Sequence, residues 1–365
     1  MPRIPVSTYR LQFNHSFTFR DAARIIPYLH ALGITDCYAS SLLKAVPGSL
    51  HGYDLIDPGL LNPELGSEED FASFTAALKT YDMGLLIDVV PNHMGILSAE
   101  NRWWWDVLEN GPGSRYAPAF DVDWAPLKRE LNEKVLLPIL GEQYGTALEQ
   151  QEIRLLYEGG GFVISYFQHR LPTTPASWAR ILSFQIDDLA DRVGEAQPAV
   201  QELRSIVTAL RHLPPSCERS PDDIAERDRE KQLARRRLAA LVSDSLDVRD
   251  SIAATVERYN GTKGVSDSFD LLDAFLNVQH YRLASWRVAS EEINYRRFFD
   301  INELAAIRTE DPEVFVESHR LIFRLIKKGI ATGLRIDHVD GLHDPEHYLR
   351  QLQDWATAEL PRQSG

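Results

Sequence analysis

In the stretch GLRIDHVDGL, Arg335 and Asp337 stand two residues apart in an otherwise apolar run, with His338 and Asp340 at its end. If the run is a strand, its period of two puts Arg335 and Asp337 on one face and Ile336 and His338 on the other. Buried carboxylates and guanidinium groups are costly unless paired. An arginine beside a carboxylate can hydrogen-bond it and keep it ionised, which is what a carboxylate nucleophile requires. The same pair would equally serve as a structural ion pair. Two further stretches raise the same question: DVVPNH offers Asp88, Asn92 and His93, and LHGYD offers His51, Tyr53 and Asp54. Taken singly, each reads as a loop turn or a satisfied core histidine. At the ends of successive strands, the three together read as a site.

The elements that would position them alternate along the chain. VSTYRLQF (6–13), ITDCYASS (34–41) and LLIDVVPNH (85–93) read as strands. Between them lie two amphipathic helical runs, opened by Thr18 with Asp21 and by Ser67 with Asp70 at capping-box spacing. Such alternation implies a parallel sheet with helical crossovers. In a parallel α/β barrel the functional residues collect at the carboxyl ends of the strands.

From Met94 to about Glu310 the alternation stops. This interval holds RWWWDVLENGPGS, then candidate short strands in EIRLLYEGGGFVISYF, then helices. Trp103, Trp104 and Trp105 read as core, although aromatic faces also suit sugar rings. The run SPDDIAERDREKQLARRRLAALV reads as a solvated helix laced with i to i+4 ion pairs, with no chemistry assigned to it. The strand and helix pattern then resumes. Asp311 and Pro312 open a helix, ATGLRIDHV is a fourth strand, and Asp344 and Pro345 open a last helix.

Composition narrows the function. A net charge of −14, from 39 basic and 53 acidic residues, argues against a nucleic-acid or anionic-membrane binder and favours a neutral substrate. Cys37 and Cys217 are the only cysteines, without metal-ligand spacing, so neither a disulfide framework nor a zinc site is expected. A reducing cytoplasm is the expected compartment. No export signal or membrane span is read from the sequence. No dense oxygen-ligand loop calls for calcium, and no metal or cofactor is expected.

DVVPNH and GLRIDH resemble the first two signature regions of the α-amylase superfamily, glycoside hydrolase family 13. STYRLQF, YASSLLKAVPGSLHGYDLIDP, VLLPILGEQYG and INYRRFFDINELAAIR extend the resemblance to one branch, the maltooligosyltrehalose synthase family, over residues 7 to 348. The stretch from Asp88 to Asp337 is far longer than the dozen or more residues a crossover needs, and that family resembles this chain in carrying a long, partly helical domain there. Ser41 stands where many relatives have proline.

The resemblance implies an α/β fold: strands one to four of a TIM (β/α)8 barrel with a large insertion after strand three. Residues 1–93 would be the first barrel part, 94–310 the inserted domain and 311–365 the barrel's continuation, with the remaining strands outside this chain. It implies an isomerase that turns the reducing-end α-1,4 link of a maltooligosaccharide into an α,α-1,1 link by retaining chemistry. Asp337 would be the nucleophile and Arg335 its orienting cation. His93 would bond the glucose hydroxymethyl group, Tyr53 would stack on that ring, and Asp88 would hold Arg335. His51, Asp54, Asn92 and His338 would support or bind. The superfamily's general acid, a glutamate ending strand five, has no counterpart in this sequence, so the chain alone is expected to be an inactive fragment. A trehalose-releasing hydrolase would be a pathway partner. Two alternatives stay open: another hydrolase or glucanotransferase of the superfamily, and a non-catalytic glucan-binding module.

Overall fold

The computed structural model describes residues 3–359. The chain folds as two compact units. One takes the segments up to Asn101, Pro118–Asp121 and from Arg296 onward; the other takes Arg102–Ala117 and Val122–Tyr295.

In the first unit, β1 (Thr8–Leu11), β2 (Asp36–Ala39), β3 (Gly84–Val89) and β4 (Gly333–Ile336) lie side by side in that order, each neighbouring pair parallel. The helices around them are α1 (Phe19–Ala31), α2 (Glu68–Thr80), α3 (Pro312–Lys327) and α4 (Pro345–Glu359). One sheet face is apolar: Leu11, Cys37, Ala39, Leu85, Ile87 and Val89 share a core with Phe19, Ile26, Phe74 and Ile322 of the helices. The alternate residues Arg10, Tyr38 and Arg335 all reach Asp88, so the opposite face is polar.

The helix starts follow their sequence signals. Ser67 Oγ accepts from the Asp70 N–H at 3.2 Å while Asp70 Oδ2 accepts from the Ser67 N–H at 3.0 Å. The Thr18 N–H donates to Asp21 Oδ2 at 2.9 Å. Asp311 Oδ1 accepts from the Glu313 N–H, and Asp344 Oδ1 from the His347 N–H, each at 2.9 Å. These bonds satisfy amides that a first helical turn leaves unpaired.

All four strands end earlier than their sequence runs, and at β3 and β4 the cause is local. LLIDVVPNH reads as one strand, but β3 stops at Val89. Pro91 has no N–H for the ladder and constrains Val90 before it. The chain then re-forms as His93–Gly95, which pairs antiparallel with Ile301–Ala306, itself paired with Arg297–Phe298. ATGLRIDHV likewise stops at Ile336, because His338 adopts a left-handed backbone with φ +48°. His338 therefore does not share the Ile336 face as strand alternation predicts. Ile336 packs on the core, whereas the His338 ring meets Phe298 and Phe299.

In the second unit, Val135–Leu140 pairs in parallel with Tyr281–Ser285. Ile153–Glu158, Gly161–Tyr166 and His169–Pro172 form an antiparallel meander. Trp103 and Trp104 are buried. The charged helix Pro221–Asp244 has a buried face beside its solvated one: Arg227 and Lys231 are buried. Lys231 Nζ donates to the buried Glu109 Oε2 at 2.7 Å, and Arg227 donates to the Gly113 and Pro215 carbonyls at 2.8 and 2.6 Å. The long aliphatic stems let these charges cross an apolar layer, which a charge pattern alone does not reveal. Burial opposes the Lys231 cation, but the Glu109 carboxylate outweighs it and holds the ammonium above its ordinary value. No helix among the described residues is long and apolar enough to cross a membrane.

Breaking this buried pair leaves one charge stranded. Lys231→Met is expected to lower the unfolding free energy by about 3–5 kcal/mol, and Glu109→Leu with Lys231→Met to recover most of that loss. Urea denaturation of the two variants and the parent measures both.

Candidate active site

Asp88, near the carboxyl end of β3, has a side chain with no solvent exposure. Its carboxylate is saturated with donors. Oδ1 accepts from Arg335 Nη1 at 2.9 Å; Oδ2 accepts from the Tyr53 hydroxyl at 2.5 Å, the Tyr38 hydroxyl at 2.7 Å and Arg10 Nη1 at 3.4 Å. A buried anion needs such company. The phenols are held protonated in return: burial and donation to Asp88 push Tyr38 up to about 12 and raise Tyr53. Arg10 also lies over the Tyr38 ring, 4.6 Å from its centroid, and donates to the Tyr53 oxygen at 2.9 Å.

The same Arg335 nitrogen that meets Asp88 donates to Asp337 Oδ1 at 2.5 Å. Burial works against the Arg335 cation, but its bonds to Asp88 and Asp337 prevail and raise its pKa above the ordinary arginine value. The Asp337 N–H extends the β3–β4 ladder by donating to the Val89 carbonyl at 2.8 Å. The Asp337 side chain is fixed by backbone below and guanidinium beside it, yet stays 19% exposed.

His93 is buried, with its ring centroid 3.8 Å from that of Phe298. Neither ring nitrogen makes a well-formed hydrogen bond, although the Tyr53 backbone lies close enough to favour the charged ring slightly. Burial dominates and pushes the imidazole down to about 4, so it is neutral at neutral pH. His338 is partly exposed, with its Nδ1 3.5 Å from Asp340 Oδ1. Its ring leaves no room at Gly341, where a Cβ would lie 2.4 Å from His338 Nε2.

The remaining candidates are tied into loops. The Asn92 amide donates to the Gly341 carbonyl at 2.8 Å, joining the segment after β3 to the one after β4. Asp54 accepts from the Ser49 hydroxyl at 2.6 Å, closing its own loop. His51 is exposed; its Nδ1 accepts from the Tyr53 N–H at 3.0 Å, and its ring lies 6.1 Å from that of Tyr53. The structure thus brings Asp88, Arg335, Asp337 and Tyr53 into one bonded group and links His93 with His338 through Phe298. Sequence reasoning missed Arg10, Tyr38 and Phe298. Arg10 and Tyr38 both fall on the polar alternation of their strands, but only their register in the folded sheet brings them to Asp88.

A parallel sheet with a carboxylate and arginine site at its strand ends defines an amylase-like catalytic domain, and residues 22–145 match the family model for the alpha amylase catalytic domain. That stretch is similar to the alpha-amylase family. The chain as a whole is similar to the maltooligosyl trehalose synthases. A Mycobacterium tuberculosis protein assigned as one is 33% identical over 356 residues, covering 96% of this chain and 33% of the relative. The solved maltooligosyltrehalose synthase of Arthrobacter ramosus matches 97% of this chain and 34% of its own, at 33% identity and a TM-score of 0.63. A Sulfolobus tokodaii structure described as a hypothetical maltooligosyl trehalose synthase matches 98% of this chain and 35% of its own, at 27% identity and a TM-score of 0.61. The chain spans about a third of the length of these relatives.

Neutral His93 links the site to pH. With its folded pKa depressed from 6.5 to about 4, its contribution to stability is complete above the unfolded value and fades as pH falls, because the unfolded chain takes up the proton first. Between pH 7 and pH 4 the parent should lose on the order of 3 kcal/mol more than His93→Gln. Urea melts across that range give the difference in slope.

Proposed function

We propose that Asp337 is the carboxylate nucleophile of a retaining glucosyl transfer on α-1,4-glucans, serving conversion of the reducing-end linkage of a maltooligosaccharide to α,α-1,1. The observation that carries this reading is the single Arg335 nitrogen shared between buried Asp88 and partly exposed Asp337. Asp88 fixes the guanidinium, and the guanidinium holds and aims the Asp337 carboxylate. Among the described residues, Arg335 is the one side-chain donor to that carboxylate, so its second oxygen is available to attack. An anomeric carbon attacked there leaves a β-linked glycosyl ester, and the departing oxygen takes a proton from a general acid that we assign to no residue of this chain. For transfer rather than hydrolysis, the freed glucose must return its anomeric hydroxyl to the ester while water is kept away. Neutral His93 and the Tyr53 ring would bind the sugar at the nucleophile, with His51, Asp54, Asn92 and His338 in support.

We read residues 1–93 and 311–365 as parts of one barrel, strands one to four, and 94–310 as the domain inserted after its third strand. The names of the similar proteins, the neutral substrate favoured by a net charge of −14 and the site chemistry support the glucosyl-transfer reading. Two free cysteines fit a reducing cytoplasm. A hydrolase that releases trehalose would consume the product.

A substrate whose leaving group needs no proton tests the nucleophile without a general acid. On incubation with α-maltotriosyl fluoride, Asp337 Oδ displaces fluoride, which leaves with the bonding electrons, and a maltotriosyl ester forms. Mass spectrometry of the digested protein should find that ester on the peptide containing Asp337 in the parent and in Asp340→Asn, and not in Asp337→Asn. Absence of the ester from that peptide in the parent would overturn the assignment.

A further inference from the structure

Two residues of the first unit hold left-handed backbones while their rings face each other: Phe299, at φ +52°, and His338, at φ +48°, with ring centroids 5.0 Å apart. For a bulky aromatic residue this conformation is unfavourable, and such strain persists only where surrounding structure imposes it. Here the imposing structure is a short antiparallel hairpin, Arg297–Phe298 against Ile301–Ala306, whose register slips between Arg297 and Phe298. Bulges of this kind re-aim side chains. Arg297 Nη1 braces the turn by donating to the Asp300 carbonyl at 3.2 Å and to the Asn302 side chain.

The brace aims the two phenylalanines differently. Phe298 turns inward against His93 and His338. Phe299 sits against Phe298 at 4.6 Å and remains 68% exposed. A strained, solvent-facing phenyl ring next to the residue that follows Asp337 gains little for the fold from burial.

We propose that Phe299 is a substrate-stacking residue, offering its ring to the apolar C–H face of a pyranose unit of an α-1,4-glucan held at Asp337. This deepens the glucan reading and rests on it. An aromatic ring supplies large, rigid contact area at little conformational cost, and the left-handed turn fixes where that ring stands before the sugar arrives.

The test compares the parent with Phe299→Gly and Phe299→Tyr. Glycine adopts a left-handed backbone freely, so Phe299→Gly should unfold at a urea midpoint no lower than the parent's while binding maltohexaose about tenfold more weakly by calorimetry. Phe299→Tyr keeps the face and should bind as the parent does. In NMR spectra, glucan C–H signals should move upfield with the parent and Phe299→Tyr, from the ring current, and not with Phe299→Gly. Equal affinity of Phe299→Gly and the parent would overturn the stacking role alone. A lower unfolding midpoint for Phe299→Gly, with no upfield shift in the parent, would make the ring structural and also overturn it. No maltohexaose binding by the parent would overturn the glucan reading and this inference together.

Discussion

The polar face of the first unit depends on one buried carboxylate. Asp88 accepts from Arg10 on β1, Tyr38 on β2, Tyr53 in the loop after β2 and Arg335 on β4. One side chain on β3 therefore links all four strands of the sheet across the face that the apolar core does not hold. Burying that charge is favourable only because its acceptor positions are filled by two cations and two hydroxyls. The same donors would be costly buried cations and phenols without it. The group is over-determined, and over-determination keeps Arg335 still enough to aim Asp337.

This explains why polar side chains recur in strands that otherwise read as core. A parallel sheet covered on both faces needs apolar residues throughout. Here alternation gives one apolar face, with Cys37, Ile87 and Val89, and one polar face, with Tyr38, Asp88 and Arg335. The strand ends then carry polar groups at no cost to the core beneath them.

Local signals were legible in the sequence, and long-range ones were not. Ser67 with Asp70, and Asp311 before Pro312, open helices because a cap is satisfied within one turn. The bond between Arg335 and Asp337 could be anticipated from spacing on one strand. The partners that fix it could not: Arg10 and Tyr38 come from strands whose register is set by three-dimensional pairing. His93 was read as ending the third strand, whereas the break at Pro91 sends it into a second sheet. His338 escaped its expected face because a left-handed backbone leaves no periodic trace. The burial of Lys231 escaped for a related reason, since its partner Glu109 lies far away in sequence.

The backbone conformations at the site separate structural from functional demands. Among the described residues, six non-glycine residues have positive φ: Asp82, Glu133, Gln151, Phe167, Phe299 and His338. Aspartate and histidine enter that region more readily than most residues, whereas phenylalanine gains nothing from local hydrogen bonding there. The His338 ring also restricts its neighbour, since a Cβ at Gly341 would lie 2.4 Å from it. Relief by glycine would be simple at either turn if backbone comfort were the sole requirement. The chain instead keeps a ring at both, one against the other, with His338 following Asp337 in sequence. Such strain persists only where the surrounding structure over-determines it, and here the hairpin bulge at Arg297–Phe298 and the end of β4 hold the two rings against each other.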